Sequence, residues 1–283
     1  YTILIGVGLN VILDPIFIFG LNMGIEGAAV ATVISMFVSM LFVMSHFFNT
    51  KHQVHFRVGC FRPKVRIIRN IVSIGMAPFL MNLAASVVNI IMNNQLVREG
   101  GDLAIGAFGI INSFGMLIVM CVLGLCQGMQ PIVGFNYGAG KHKRVKDVLL
   151  LTIRIATLIV TVGFLASELF PRWLVRAFTD DPDLTAMAVH GMRLGYCLLF
   201  LDGFQIVVSV FLQSISKAQK AVFMGLSRQV IFLIPALYFF SRWFGLTGVW
   251  LSIPAADLLA AVVAILFLRS ERRVFYPSSG RRV

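Results

Sequence analysis

Residues 126–146 read CQGMQPIVGFNYGAGKHKRVK, a stretch that passes from an apolar run into a basic loop. It carries amide side chains around Pro131 and ends on Gly138 and Gly140 before a cluster of lysine and arginine. Hydrocarbon tolerates polar groups only where they are satisfied, and basic residues anchor helix ends in water. The stretch therefore predicts the end of a membrane-spanning helix. Pro131 has no N–H, so the backbone carbonyl four residues before it loses its hydrogen-bond donor. This part of the helix either lines a cavity or only packs against a neighbouring helix.

The composition predicts an integral membrane protein. Hydrophobic residues make up 58% of the 283 residues and charged residues 13%, and the mean hydropathy is +0.89. Soluble domains carry about 25% charged residues. The net charge of +12 would suit nucleic acid, but the basic residues lie in short clusters between apolar runs. We interpret them as topology signals, with the lipid bilayer and not nucleic acid as the partner.

Apolar runs long enough to cross a bilayer recur along the whole chain. A spanning helix needs about 20 mostly apolar residues. The sequence predicts eight such helices, at approximately 1–19, 25–48, 71–97, 103–137, 148–170, 185–214, 221–240 and 245–268. The chain is thus predicted to be all-α, with the fourth and sixth runs long enough to be tilted or kinked.

The distribution of lysine and arginine predicts the orientation. Most of the 24 basic residues fall in alternate loops and in the C-terminal tail, including the group Lys217, Lys220 and Arg228. By the positive-inside rule these loops and the C-terminus are cytoplasmic. We predict a multi-pass protein of the inner (plasma) membrane, and a monomer.

Two segments of the chain resemble each other. Residues 14–27 read DPIFIFGLNMGIEG and residues 234–248 read IPALYFFSRWFGLTG. Each has a proline, an aromatic-rich run and a Gly-x-x-Gly that opens an apolar helix. The pairs are Pro15 with Pro235, Gly24 with Gly245, and Gly27 with Gly248. This predicts a six-helix repeat, complete in the last six helices and represented by two helices before them. Such repeats are typical of secondary transporters.

Asp14 is the most informative polar residue within the apolar runs. It lies in VILDPIF, one helical turn after Asn10, and Thr32 on the next helix could add a hydroxyl. A carboxylate in hydrocarbon is costly and usually marks an ion or proton site. The alternative is that Asp14 caps the helix break beside Pro15 and binds nothing.

A second set of polar residues could line a substrate cavity. The candidates are Asn82, Gln127, Gln130, Asp202 and Gln205, and Asp257 is a further acidic residue in an apolar run. Uncharged amides would solvate varied cations without the cost of a full charge. The alternative for each is hydrogen bonding between helices, worth at most about 1–2 kcal/mol.

The sequence contains no Walker A loop, no Gly-x-Ser-x-Gly, no His-Glu-x-x-His and no metal-spaced Cys/His set. We therefore predict a protein that is not an enzyme and has no metal site and no cofactor. An ion gradient would then have to supply the energy for transport.

These motifs resemble the multidrug and toxic compound extrusion (MATE) family. The resemblance rests mainly on QPIVGFNYGAG at 130–140 and NVILDP at 10–15, with support from GAAVAT at 27–32 and SRQ at 227–229. It extends over nearly the whole chain and would make it the C-terminal two-thirds of such a transporter. Members have two six-helix lobes around a central cavity.

The resemblance implies a domain organisation. Residues 1–48 would be the last two helices of the N-terminal lobe, 49–70 the cytoplasmic linker, 71–268 the C-terminal lobe and 269–283 a basic cytoplasmic tail. The start of the chain within an apolar segment agrees with missing upstream helices.

The resemblance also implies a function. The family exports organic cations and amphipathic drugs in exchange for H⁺ or Na⁺, and its N-terminal cation site matches Asn10, Asp14 and Thr32 in residue type and order. The same fold would also serve a flippase for lipid-linked saccharides, which needs a cationic cavity. A membrane enzyme or a scaffold is the third alternative.

Overall fold

The computed structural model describes residues 2–48 and 64–271, and every regular element in these ranges is a helix. The chain divides into two compact units, Tyr1–Ile71 and Val72–Val283. Most of the predicted linker, 49–63, and most of the basic tail, 272–283, lie outside the described residues. The predicted domain borders therefore stay predictions.

The first unit contains a pair of apolar helices. Helix α1 (Thr2–Pro15) continues into a π-helical segment, Ile16–Gly20, and α2 spans Gly24–Phe48. Proline lacks an N–H and its ring clashes with the carbonyl four residues earlier, so the helix cannot continue unchanged past Pro15. The wider π-helical turns that follow Pro15 fit this constraint.

The second unit is built on two long helices with shorter helices between them. The helices are α3 (Val65–Gly138), which begins before the border between the units, α4 (His142–Leu169), α5 (Pro171–Arg176), α6 (Pro182–Gly195), α7 (Phe200–Ser214), α8 (Ala218–Leu226) and α9 (Ile234–Ser270). A second π-helical segment, Ser227–Leu233, joins α8 to α9. Helix α3 ends at Gly138, as the sequence predicts.

Local sequence explains the start of α6. The Asp181 carboxylate accepts hydrogen bonds from the backbone N–H groups of Asp183 (2.9 Å) and Leu184 (3.3 Å), and Pro182 follows in the first turn of α6. This is the arrangement that satisfies orphan donors at a helix start. Helix α4 begins at His142, so its basic residues form its first turn and not the loop that we predicted for 138–147.

Five helical runs among the described residues are long and apolar enough to cross a membrane, or six if the bent pair α6 and α7 forms one span. Helices α3 and α9 contain non-helical residues at Gly101 (φ 67°) and Gly245 (φ 57°). Positive φ is a conformation that glycine adopts without a steric penalty. Both breaks fall where the sequence predicts them, whereas the number of eight spans stays a prediction.

The sixth predicted run, 185–214, contains a bend of 59° between α6 and α7. The Tyr196 hydroxyl at this bend donates to the backbone carbonyl of Ile111, and the missing side chain of Gly115 leaves room for the phenol. This hydrogen bond ties the bend to α3. Trp250, Phe211 and Leu96 are among the largest fully buried side chains of this unit's core.

The two similar segments share their local geometry. Gly24 and Gly245 both have φ of +57°, and each opens the helix that follows. A Cβ on Gly27 would lie 2.7 Å from the carbonyl oxygen of Phe17, and one on Gly248 would overlap the carbonyl oxygen of Phe240. The first glycine of each pair therefore adopts the positive φ of the turn. The second lets the carbonyl of the preceding segment approach the backbone closely. The larger six-helix repeat stays a prediction.

Candidate functional site: two polar clusters inside the helices

The first unit brings together the three residues predicted to form an ion site. The Asn10 side-chain amide donates to the Asp14 carboxylate at 3.1 Å and to the Thr32 hydroxyl at 3.4 Å. The Thr32 hydroxyl in turn donates to the carbonyl of Ala28 at 2.9 Å. Asn10 thus connects α1 to α2, and its amide holds the carboxylate and the hydroxyl on either side of it.

Helix geometry explains why these side chains meet. Asn10 and Asp14 are four residues apart and share one face of α1. Ala31, next to Thr32, is fully buried, and a small side chain there allows the two helices to approach. Asp14 is half-buried in the last turn of α1, one residue before Pro15. The carboxylate therefore lies where the α-helical hydrogen bonding is interrupted.

A groove of about 480 Å³ runs along this pair of helices. Its polar wall includes Asn10, Thr32, Ser35 and Ser39. The Ser35 and Ser39 hydroxyls donate to carbonyls of their own helix, at 2.8 Å and 2.9 Å. Sequence reasoning missed these serines, although their spacing from Thr32 at helical intervals could have indicated a common face.

The second unit contains a buried ion-pair cluster. Arg228 lies with its Nη2 atom 2.6 Å from Asp257 Oδ1 and 2.9 Å from Asp202 Oδ1. Its Nε donates to Asp257 Oδ1 at 2.7 Å. The Asp202 and Asp257 side chains are only 10% and 3% exposed. Gln205 donates to the backbone carbonyl of Asp257 at 2.8 Å, which ties α7 to α9. We call Arg228, Asp202 and Asp257 the arginine cluster.

Three separate elements supply the arginine cluster. Asp202 lies in α7, Arg228 in the second π-helical segment and Asp257 in α9. The π-helical segment ends just before Pro235, whose missing donor and bulky ring disfavour regular α-helix there. Single π-helical turns are frequent at functional sites. A cavity of about 150 Å³ lies beside the cluster, lined by Asn89 and Gln229 as well as Arg228 and Asp257.

The sequence predicted other roles for Asp202, Gln205 and Arg228. Asp202 and Gln205 were predicted to line a substrate cavity, and Arg228 was counted among the cytoplasmic basic residues. The structure pairs Asp202 with Arg228 and engages Gln205 with α9. Arg228 is therefore removed from the charges that indicate orientation. A lone arginine after a loop is typical of an anchor, so sequence spacing alone carried no signal for its partners.

The remaining cavity candidates lie on the surface of α3. Asn82, Gln127 and Gln130 are all exposed, and none of them lines the cavity beside the arginine cluster. Within residues 2–48 and 64–271, no group of three or more His, Cys, Asp or Glu side chains is arranged to hold a metal ion.

The fold and these clusters define a multi-pass helical membrane protein that holds charged side chains within its apolar helices. The MatE family model matches residues 76–239, more than half of the chain, and the chain belongs to this family.

Known proteins resemble the chain over nearly its whole length. It is 31% identical over 265 residues to the multidrug export protein MepA of Staphylococcus aureus (strain MSSA476), an alignment that covers 94% of the chain and 58% of MepA. An outward-facing multidrug resistance MATE family transporter of the MOP superfamily is 27% identical with a TM-score of 0.84, covering 98% of the chain and 63% of that structure. A MATE crystal structure in the straight conformation is 26% identical with a TM-score of 0.86, covering 98% and 63%. The chain thus spans about 58% of the length of the curated relative.

Proposed function

We propose that the chain is part of a secondary active exporter that moves cationic or amphipathic drugs against H⁺ or Na⁺ by alternating access. The names of its relatives, a multidrug export protein and a multidrug resistance transporter, support the substrate class. The observation that carries the proposal is the meeting of Asn10, Asp14 and Thr32 across α1 and α2. A carboxylate held among polar groups in a span is where an ion or proton would bind.

The exposed amides of α3 support a polar passage for the substrate. Asn82, Gln127 and Gln130 lie exposed on a helix that is otherwise rich in apolar residues. Polar side chains within membrane-spanning helices usually face the helix-bundle interior or a water-filled cavity. We propose that these three amides line the substrate path. Asp202 and Gln205 would lie behind this path, where they contact Arg228 and Asp257.

The charges favour this proposal over a lipid-linked saccharide flippase. A pyrophosphate would require an excess of positive charge in the cavity. The arginine cluster instead has two carboxylates for one guanidinium, and the first unit offers Asp14. Organic cations are the better match to these groups.

The mechanism follows from the interruption of α1. Ion binding at Asp14 would change the charge of a side chain next to Pro15, where helical hydrogen bonding is already broken. Export is coupled only if ion and drug differ in their affinity for the inward and outward states. We propose that occupancy of Asp14 biases the geometry of this helix end and thereby selects one state.

The test uses the complete gene product that contains this chain, expressed in a host without its own efflux pumps. We would follow ethidium efflux with and without a sodium gradient, and with a protonophore, for the wild type and for Asp14→Asn. We expect the variant to lose efflux at normal expression. The response of wild-type efflux to the sodium gradient and to the protonophore would identify the coupling ion.

A matched control is Asp147→Asn, which removes an exposed carboxylate in the first turns of α4. It should retain wild-type efflux. Efflux that persists in Asp14→Asn would make Asp14 a structural cap, and wild-type protein without any efflux would contradict the exporter itself.

A further inference from the structure

Helix α4 carries a charged side chain in the middle of its apolar length. Arg154 lies near the centre of His142–Leu169, about 12 Å further along the helix axis than Lys146 at a rise of about 1.5 Å per residue. Its guanidinium makes no hydrogen bond or ion pair with any residue that the structure describes. A positive charge in hydrocarbon is costly, so Arg154 favours an anionic partner from outside the described helices.

Arg154 lies on the side of α4 that faces away from the helix bundle. It is two residues from both Thr152 and Ala156, which places it about 200° around the helix from each of these buried residues. The Arg154 side chain is exposed. The same side of the helix carries exposed aliphatic side chains, namely Leu151, Leu158, Val162 and Leu165. Arg154 therefore interrupts an aliphatic stripe.

The small side chains of α4 lie on its buried side. Ala156, Gly163 and Ser167 are all buried, and Gly163 packs against Ile118 of α3 with no space for a Cβ. Membrane helices approach one another closely through small residues of this kind. The outward side of α4 instead has leucine and valine around Arg154, which suit lipid acyl chains better than a second helix. We therefore expect the partner of Arg154 to be a lipid.

The direction of the side chain determines which leaflet supplies this lipid. The Cα–Cβ bonds of a helix tilt toward its N-terminus, so the long stem of Arg154 extends toward the basic end of α4. Lys143, Arg144 and Lys146 mark the level of the lipid headgroups at that end. The stem covers only part of the distance to them, so a headgroup has to move below their level. Local thinning of the bilayer around an arginine has this effect.

We propose that Arg154 binds the phosphate of a phospholipid from the leaflet at the basic end of α4, with the acyl chains along Leu158, Val162 and Leu165. The planar guanidinium donates two parallel hydrogen bonds to phosphate oxygens, which makes arginine well suited to this group. The inference goes beyond the proposed function, and its test does not depend on transport.

Two other charged groups share this side of α4. Asp147 lies two turns closer to the headgroups than Arg154, and Lys143 lies one turn beyond Asp147. Opposite charges four residues apart on a helix attract each other. Lys143 therefore offsets the carboxylate of Asp147, and a phosphate at this side of α4 meets a net positive charge.

The experiment uses the complete protein purified in detergent and measures Tm while lipid is added at increasing mole fraction. The probes are dioleoyl phosphatidylglycerol, dioleoylglycerol, which has the same acyl chains without the phosphate, and inorganic phosphate. We expect phosphatidylglycerol to raise Tm and the other two compounds to leave it unchanged. An equal rise with inorganic phosphate would identify a site for the free anion. An equal rise with dioleoylglycerol would show binding through the acyl chains alone, and either result would overturn the proposal.

Arg154→Leu tests the residue itself, and it should fold because leucine continues the aliphatic stripe. We expect the mole fraction of phosphatidylglycerol that gives half of the rise in Tm to increase about tenfold, because a hydrogen bond to a charged group is lost. Arg144→Leu is the matched control. It removes the same charge from the exposed start of α4, where water solvates it, and should keep the wild-type midpoint.

Two results with these variants would overturn the proposal. The first is an equal midpoint in Arg154→Leu and the wild type. The second is a wild-type dimer that becomes a monomer in Arg154→Leu when the mass is measured by light scattering. That change would assign the outward side of α4 to a second copy of the protein.

Discussion

At the scale of the residue, Asn10 is the side chain on which the first polar cluster depends, because its amide donates to both Asp14 and Thr32. A hydrogen bond to a charged group contributes about 1.5–3 kcal/mol, and partial exposure reduces this. We expect Asn10→Ala to weaken coupling-ion affinity about tenfold, measured as the ion concentration for half-maximal drug efflux. Thr32→Ser keeps the hydroxyl and should stay near the wild type. Equal affinity in Asn10→Ala would show that the amide only joins the two helices.

The residue scale also shows where sequence reasoning reached its limit. The contact between Asn10 and Asp14 was predictable because a four-residue spacing places both on one helix face. The pairing of Asp202 and Asp257 with Arg228 was not, since these residues lie on three elements and are separated by 26 to 55 positions. Neither helical periodicity nor local polarity specifies which buried charges meet across a bundle.

At the scale of the element, the glycines that follow the helix breaks control how closely neighbouring turns approach. Gly248 has no space for a Cβ, which would overlap the carbonyl oxygen of Phe240. We expect Gly248→Ala to lower the free energy of unfolding by about 1–3 kcal/mol despite the better helix propensity of alanine, because overpacking forces backbone shifts. Thermal unfolding in detergent measures the effect.

Gly109→Ala is the matched control for this prediction, since a Cβ there would meet no atom within 4 Å. It should leave Tm unchanged or raise it slightly. Similar Tm changes in both variants would contradict the steric explanation. The breaks themselves were predictable from the sequence because apolar runs that exceed one bilayer crossing must turn, and Gly101 and Gly245 are residues that adopt positive φ readily.

At the scale of the whole molecule, the distribution of charge predicts the orientation in the membrane. With Arg228 removed from the count, the start of α4 still carries Lys143, Arg144 and Lys146, whereas the α5–α6 connection carries Asp180 and Asp181. Basic residues within short connections are retained in the cytoplasm. The two ends of α4 are therefore expected on opposite sides, with the basic end inside.

Single cysteines in a background without Cys60, Cys121, Cys126 and Cys197 test this orientation. A membrane-impermeant maleimide should label Asp180→Cys in intact cells and Lys143→Cys only after permeabilisation. Asp180 lies in the α5–α6 connection and Lys143 in the first turn of α4, and both residues are exposed, so access from each side and not burial decides the result. The opposite labelling pattern would contradict the orientation that the positive-inside rule implies.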